Sequence, residues 1–406
     1  MAGEFIDSLI LKNDKKIVFL VMDGLGGLPL PGGDQTELEA ASTPHMDALA
    51  KKSICGLLDP VGDGITPGSG PAHFALFGYD PVKTKVGRGL LSATGVDFPM
   101  TPRDVFMRVN FATIDKGGVL VDRRAGRIPT EETERLCRKL QERVRLASAA
   151  TANVEIFFRP EKDYRAVIAL RGDDLGEEVE ETDPQQTGLP PRPPLALAPA
   201  ATRTSAILTE LLAQVKEILS DEPKANMILM RGYAKYQQFP SMVDRFGLNP
   251  LAIANYPMYR GIARLVGMQV NPLTHTLAEE IGALEENFPR YDFFFLHVKH
   301  TDSNGEDGNF AGKVKVIEEV DTLLPRITAL NPDVLVVTGD HSTPATLKSH
   351  SWHPVPALLA APTCRPDRVE QFGERACLQG GLGRMPMANL MALALAHAQK
   401  LEKFGA

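Results

Sequence analysis

The chain has little of what would place it outside the cell, in a membrane or on nucleic acid. Its four cysteines, Cys55, Cys137, Cys364 and Cys377, are scattered over 406 residues without Cys-x-x-Cys spacing. They read as reduced, small core residues of a cytoplasmic protein rather than as a disulfide framework. There is no basic cluster and the formal net charge is −7, so nucleic-acid binding has no electrostatic footprint. No apolar run approaches the roughly twenty residues of a membrane span, and nothing at the amino terminus reads as a secretory leader. Internal repeats are absent as well. A hydrophobic fraction of 43% with 23% charged residues is that of an ordinary globular protein, and 406 residues imply two domains rather than one.

What is present begins with Thr338-Gly339-Asp340-His341, which follows the apolar run Val334 to Val337. Asp340 and His341 are thereby set at the carboxyl end of a strand, where an α/β enzyme builds its ligand site. A second run, Ile17 to Met22, ends in Asp23 before Gly24, and a third, Phe293 to Val298, leads on to Asp302. Three strands each deliver an aspartate at or just past their carboxyl ends.

Strands of continuous rather than alternating apolar character, expected at 16–22, 291–298, 333–338 and 355–360, imply a mostly parallel sheet buried on both faces. Thr43 is expected to cap a helix that has Pro44 in its first position. Between about 103 and 222 the texture changes to Arg-rich turns, alternating strands such as Arg165 to Leu170, and an amphipathic helix near 130–147. Prolines at 190, 191, 193 and 194 preclude a regular helix or central strand there. The expected organisation is α/β: a core of 1–102 and 223–406, and an inserted, smaller α+β domain of 103–222.

Ser69 stands between glycines just before a helix, in Pro67-Gly68-Ser69-Gly70-Pro71-Ala72-His73. It is either a helix cap or a nucleophile, since a helix start favours an anion and a nearby divalent cation eases loss of the hydroxyl proton. Asp23, Asp340 and His341 could hold that cation. The stretch from His300 to Asn309 offers Asp302 and Glu306 in what reads as a Gly-containing loop, and the stretch after Lys348 offers His350 and His353. Such sets suit Mn²⁺, Zn²⁺ or Mg²⁺.

These segments, with Met22-Asp23-Gly24-Leu25-Gly26-Gly27, Phe77-Gly78-Tyr79-Asp80-Pro81, Asn110-Phe111-Ala112-Thr113, Asp122-Arg123-Arg124-Ala125-Gly126-Arg127 and Met230-Arg231-Gly232, resemble the cofactor-independent phosphoglycerate mutases of the archaeal type. That family belongs to the alkaline phosphatase superfamily, and the likeness runs over nearly the whole chain. It implies an alkaline-phosphatase-like sheet flanked by helices. It also implies interconversion of 3- and 2-phosphoglycerate in glycolysis and gluconeogenesis through a phosphoserine on Ser69, with a phosphatase or other phosphotransferase as the alternative. Two divalent ions, with manganese favoured over magnesium, zinc or cobalt, and no 2,3-bisphosphoglycerate complete the expectation. Asp23, Ser69, Asp340 and His341 match the site holding the nucleophile, while Asp302, the position of Glu306 and His350 match the other. The family usually has histidine at the Glu306 position, so either Glu306 or His353 completes that set. Arg123, Arg124, Arg165, Arg231 and Arg260 are the expected substrate arginines, Asp183 the general acid/base, and the insertion the lid against water. The partner is a small phosphorylated acid, with no nucleic acid or membrane; oligomeric state is left open.

Overall fold

The structure is a computed structural model describing residues 6–84, 86–96 and 98–405. The chain forms two compact units, residues 1–85 with 239–406, and 86–238. The second contains the whole 103–222 stretch. In chain order the elements used below are β1 (Ile17–Met22), α1 (Pro44–Ala50), β2 (Ile54–Asp59), α2 (Ser69–Leu76), α3 (Arg88–Gly95), β3 (Asp104–Ile114), β4 (Leu120–Asp122), α4 (Thr130–Arg143), β5 (Glu155–Pro160), β6 (Arg165–Arg171), α5 (Thr202–Ile218), β7 (Met227–Lys235), β8 (Pro250–Ile253), α6 (Pro257–Leu265), β9 (Gln269–Val270), α7 (Leu277–Asn287), β10 (Phe293–Val298), α8 (His300–Asp307), α9 (Phe310–Ala329), β11 (Val334–Thr338), β12 (Val355–Ala360) and β13 (Gly383–Pro386).

In the first unit eight strands form a largely parallel sheet flanked by helices, in the order β13-β2-β12-β11-β1-β10-β8-β9, with only β12 running against its neighbours. Every residue of β1, β10 and β11 is buried, as continuous apolar runs require of strands covered on both faces. Register then fixes the site. Met22 pairs with Val298 and Val21 with Thr338, so the residues following three adjacent strands emerge side by side at one sheet edge.

The second unit is a five-stranded antiparallel sheet in which β3 pairs with β4, β6 and β7. Alternate residues of β3, Val105, Met107, Val109 and Phe111, share one core with Leu136 and Leu140 of α4 and Leu208, Leu211 and Val215 of α5. The period of two therefore turns Phe106, Arg108 and Asn110 to the opposite face.

Three expectations are corrected. Thr43 makes no side-chain cap; the carboxylate of Asp321 accepts from His45 N at 3.2 Å and Met46 N at 2.7 Å and does that work from α9. The stretch holding Asp302 and Glu306 is the helix α8, ended by Gly308 in the left-handed region, not a loop. Gly305 is tolerated inside it because a Cβ there would collide with the Thr343 carbonyl. The alternation expected at Arg165 to Leu170 is absent, since α3 and α4 both pack on β6 and residues 166–170 are all buried.

Glu280 on α7 is buried, with Asn255 Nδ2 donating to its Oε1 at 2.5 Å. Burial pushes its carboxyl from 4.5 up to about 8. The native state therefore keeps a proton that the unfolded chain loses near 4.5, and this contribution to stability falls as pH rises through that window. Urea midpoints at pH 5 and pH 8 should show a smaller decline for Glu280→Gln than for the parent protein; equal declines would contradict the assignment.

Candidate active site

Asp23, Asp302, Asp340, His341 and His350 gather at the carboxyl ends of β1, β10 and β11. Gly24 N donates to Asp340 Oδ1 at 3.0 Å, tying the β1 loop to the β11 loop. Gly24 has φ +63, and a Cβ there would sit 2.5 Å from Thr343 Oγ1 and 2.9 Å from Asp302 Oδ1, so the position needs glycine on two counts. Asp23, Asp340 and His341 are fully buried, with one ligand atom from each lying within 4.8 Å of the others; Asp302, His341 and His350 form a second such group. His341 is common to both, and its ring stacks on that of His350 at 3.7 Å.

Ser69 is the first residue of α2, and the cap position before it is Gly68, which has no side chain to cap the helix. Its Oγ lies 3.4 Å from His341 Nε2. His350 Nδ1 donates to the Pro67 carbonyl at 3.0 Å, which turns Nε2 toward Asp302 Oδ1 at 3.6 Å and Glu306 Oε1 at 3.7 Å. Glu306, 54% exposed, stands at the rim. His353 is not drawn into either group: its ring stacks on Trp352 and its Nδ1 meets Ser351 Oγ at 3.0 Å.

Two buried aspartates, Asp23 and Asp302, meet one ammonium. Lys299 Nζ lies 2.9 Å from Asp23 Oδ2, 2.5 Å from Asp302 Oδ2 and 3.1 Å from Tyr259 OH. Burial alone would raise the Asp23 carboxyl, but Lys299, with His297, holds it well below the usual range. Asp340 is pushed well above that range, by burial first and by the Asp23 charge second. Burial lowers His341 to about 3, so its ring is neutral. Asp23 Oδ1 and Asp340 Oδ2 accept no hydrogen bond although His341 Nε2 lies 3.4 and 3.1 Å away. Buried oxygens without donors, beside a neutral imidazole, are a donor set that fits a divalent cation.

In the second unit Arg123 grips Asp183 with both nitrogens, Nε to Oδ1 at 2.9 Å and Nη2 to Oδ2 at 2.7 Å, and Arg231 Nη1 lies 3.8 Å from Oδ2. Burial would raise the Asp183 carboxyl; Arg123 brings it below its ordinary value. Cross-strand register places Arg231 opposite Arg108, and Arg165 opposite Asn110, on the face turned away from α4 and α5. Arg165 lies over the Tyr164 ring at 5.2 Å, and Arg124 is exposed with its backbone N–H on Asp122. Arg260, in the first unit, donates to the carbonyls of Ala254 and Asn271.

The family model for 2,3-bisphosphoglycerate-independent phosphoglycerate mutase matches residues 50–225. A Thermus thermophilus protein named as a probable 2,3-bisphosphoglycerate-independent phosphoglycerate mutase is 52% identical over 404 residues, 99% of this chain and 98% of that protein. The chain belongs to this enzyme family. A Thermotoga maritima protein of the same name is 49% identical over 403 residues, covering 99% of each. Among solved structures, a Pyrococcus horikoshii protein aligns with TM-score 0.83 and 28% identity over 97% of this chain and all of that one. The cofactor-independent phosphoglycerate mutase from Thermoplasma acidophilum aligns with TM-score 0.73 and 26% identity over 95% of this chain and all of that one. Among the described residues, no helix is long and apolar enough to cross a membrane.

Sequence reasoning missed Lys299, Thr343 and Arg108. Lys299 follows β10 directly, as Asp23 follows β1, and that shared position was the signal for it. Removing its charge leaves two buried carboxylates facing one another, and breaking a buried pair costs about 3–5 kcal/mol. Lys299→Met should therefore lower the melting temperature of the metal-free protein well beyond the effect of a surface Lys→Met change; an unchanged melting temperature would show that the carboxylates are relieved by other means.

Proposed function

We propose that this enzyme interconverts 3-phosphoglycerate and 2-phosphoglycerate in glycolysis and gluconeogenesis, passing the phosphoryl group through Ser69. The observation that carries the reading is the placement of Ser69 Oγ at a helix start, 3.4 Å from His341 Nε2 and beside the donor-starved oxygens of Asp23 and Asp340. Asp23, Ser69, Asp340 and His341 would hold one divalent cation, and Asp302, Glu306 and His350 a second. When bound, such ions lower the pKa of the serine hydroxyl and offset charge on the transferring phosphoryl oxygens. A set this rich in carboxylate oxygen suits Mn²⁺ or Mg²⁺ over Zn²⁺.

In the first half-reaction Ser69 Oγ bonds to phosphorus and the bond from phosphorus to the glycerate O3 breaks, with O3 taking a proton. In the second the O2 hydroxyl attacks the phosphoserine, gives up its proton, and frees Ser69. The first-turn N–H groups of α2 have no intrahelical acceptors and face an anion favourably. The Lys299 ammonium, held between Asp23 and Asp302, adds positive charge on the same side.

We assign recognition of the glycerate to the inserted stretch 103–222, with Arg123, Arg124 and Arg165, joined by Arg231 and, in the first unit, Arg260. The guanidinium fork suits both carboxylate and phosphate. Asp183 is our general acid/base, shuttling the proton between O3 and O2. In this state Arg123 donates to both of its oxygens, which favours the ionised carboxylate, the form that takes the proton from O2. Arg260 already serves two backbone carbonyls, so its role is the more structural of the five.

The test is an assay from 3-phosphoglycerate without added 2,3-bisphosphoglycerate. Ser69→Ala should fold and lose at least about a thousandfold in kcat, as nucleophile removals do. Chelation should silence the parent enzyme and Mn²⁺ should restore it. A Ser69→Ala protein keeping about a tenth of the parent rate would rule out the covalent route, full activity of demonstrably metal-free protein would rule out the cations, and release of inorganic phosphate in place of 2-phosphoglycerate would make the protein a phosphatase.

A further inference from the structure

Thr343 touches both groups of ligands with a single hydroxyl. Its Oγ1 lies 2.6 Å from Asp302 Oδ1 and 3.0 Å from His341 Nδ1. Asp302 carries the Lys299 ammonium on its other oxygen and, as a carboxylate, only accepts. A threonine hydroxyl has one proton, so that proton goes to Asp302 and the oxygen accepts from His341. The imidazole must then carry its own proton on Nδ1. Nε2 is left as a bare lone pair, facing Asp340 Oδ2 at 3.1 Å and Asp23 Oδ1 at 3.4 Å. A lone pair turned toward two buried aspartate oxygens, Asp23 Oδ1 and Asp340 Oδ2, is oriented as a ligand to a cation placed among them.

Thr343 itself is firmly placed. Its N–H is shared between the carbonyls of Gly24 at 3.3 Å and Gly26 at 3.0 Å. Its own carbonyl accepts from Lys313 Nζ at 2.9 Å, and the same ammonium donates to Gly26 O at 3.0 Å. Lys313 reaches this point from α9 with no solvent exposure, and Glu37 Oε1 stands 3.9 Å from its charge while accepting from Ala345 N at 2.7 Å. Gly24 and Gly305 bring the β1 loop and α8 against Thr343 where any Cβ would collide with it.

We propose that Thr343 is a positioning residue that couples the two cation sites, orienting Asp302 of one and fixing the ligating tautomer of His341 in the other through one hydroxyl. The proposal rests on the cation reading above and adds to it that the two sites are not independent. Outer partners of this kind are worth about 10–100-fold in metal affinity; here one change should be felt at both sites.

Two measurements test this. Long-range proton–nitrogen correlation spectra of the metal-free parent protein report the tautomer of His341 without any mutation: a proton on Nδ1 is expected, and a proton on Nε2 overturns the proposal. Calorimetric titration with Mn²⁺ then compares the parent with Thr343→Val and Thr343→Ser. The valine variant should weaken both binding events by about tenfold or more, and the serine variant, which keeps the hydroxyl, should restore both to near the parent values. Parent affinity at either site in Thr343→Val overturns the coupling. A parent protein that binds no Mn²⁺ while His341 still shows the Nδ1 proton would instead remove the cation reading on which the coupling depends.

Discussion

Buried negative charge at the mouth of three adjacent strands is the constraint around which the first unit is arranged. Asp23, Asp302 and Asp340 are withdrawn from water, and one ammonium, that of Lys299, is set against them. Low local dielectric makes such an imbalance costly unless the charge is paired, protonated or bound to a cation. The protein answers in the first two ways in this state: Asp23 and Asp302 share Lys299, and burial beside Asp23 pushes Asp340 toward its protonated form. Such a site keeps only part of its charge relieved by the protein itself, which is the condition under which added cations bind with profit to stability as well as to chemistry.

The two ligand groups are unequal. The one beside Ser69 is wholly buried and built from residues that follow directly on β1 and β11. The other runs from buried Asp302 outward to His350 and to half-exposed Glu306, whose carboxyl is raised by burial and by Asp302. Glu306 lies one helical turn beyond Asp302 on α8, on the same side of that helix. The Glu306 carboxylate beside Asp302 makes that rim richer in oxygen.

Much of this was legible in the sequence because continuous apolar runs name parallel strands and the first polar residue after each run names the site. That reasoning led to Asp23, Asp340 and His341, and the structure brings them together. Lys299 carried the same signal, standing directly after β10, and was passed over for Asp302; Thr343 and Lys313 were not legible, since an ordinary threonine and lysine acquire their roles only from register and from neighbours distant in sequence. Arg108 escaped for a similar reason: its face of β3 is decided by which side α4 and α5 cover. The helix α8 was read as a loop because its glycines look like turn residues; one of them is there for the close approach of Thr343. The cap expected of Thr43 is supplied instead by Asp321, and no local pattern announces a cap that arrives from another helix.

The central claim, transfer of the phosphoryl group through Ser69, is tested most directly by catching it in place. The Mn²⁺-loaded enzyme would be mixed with 3-phosphoglycerate, quenched in acid within a turnover, digested and read by peptide mass spectrometry. The account predicts a phosphate on the peptide spanning Pro67 to His73, localised to Ser69, during turnover and absent without substrate. Steady formation of 2-phosphoglycerate with that serine unmodified at every quench time, and the phosphate found on another side chain, would contradict it.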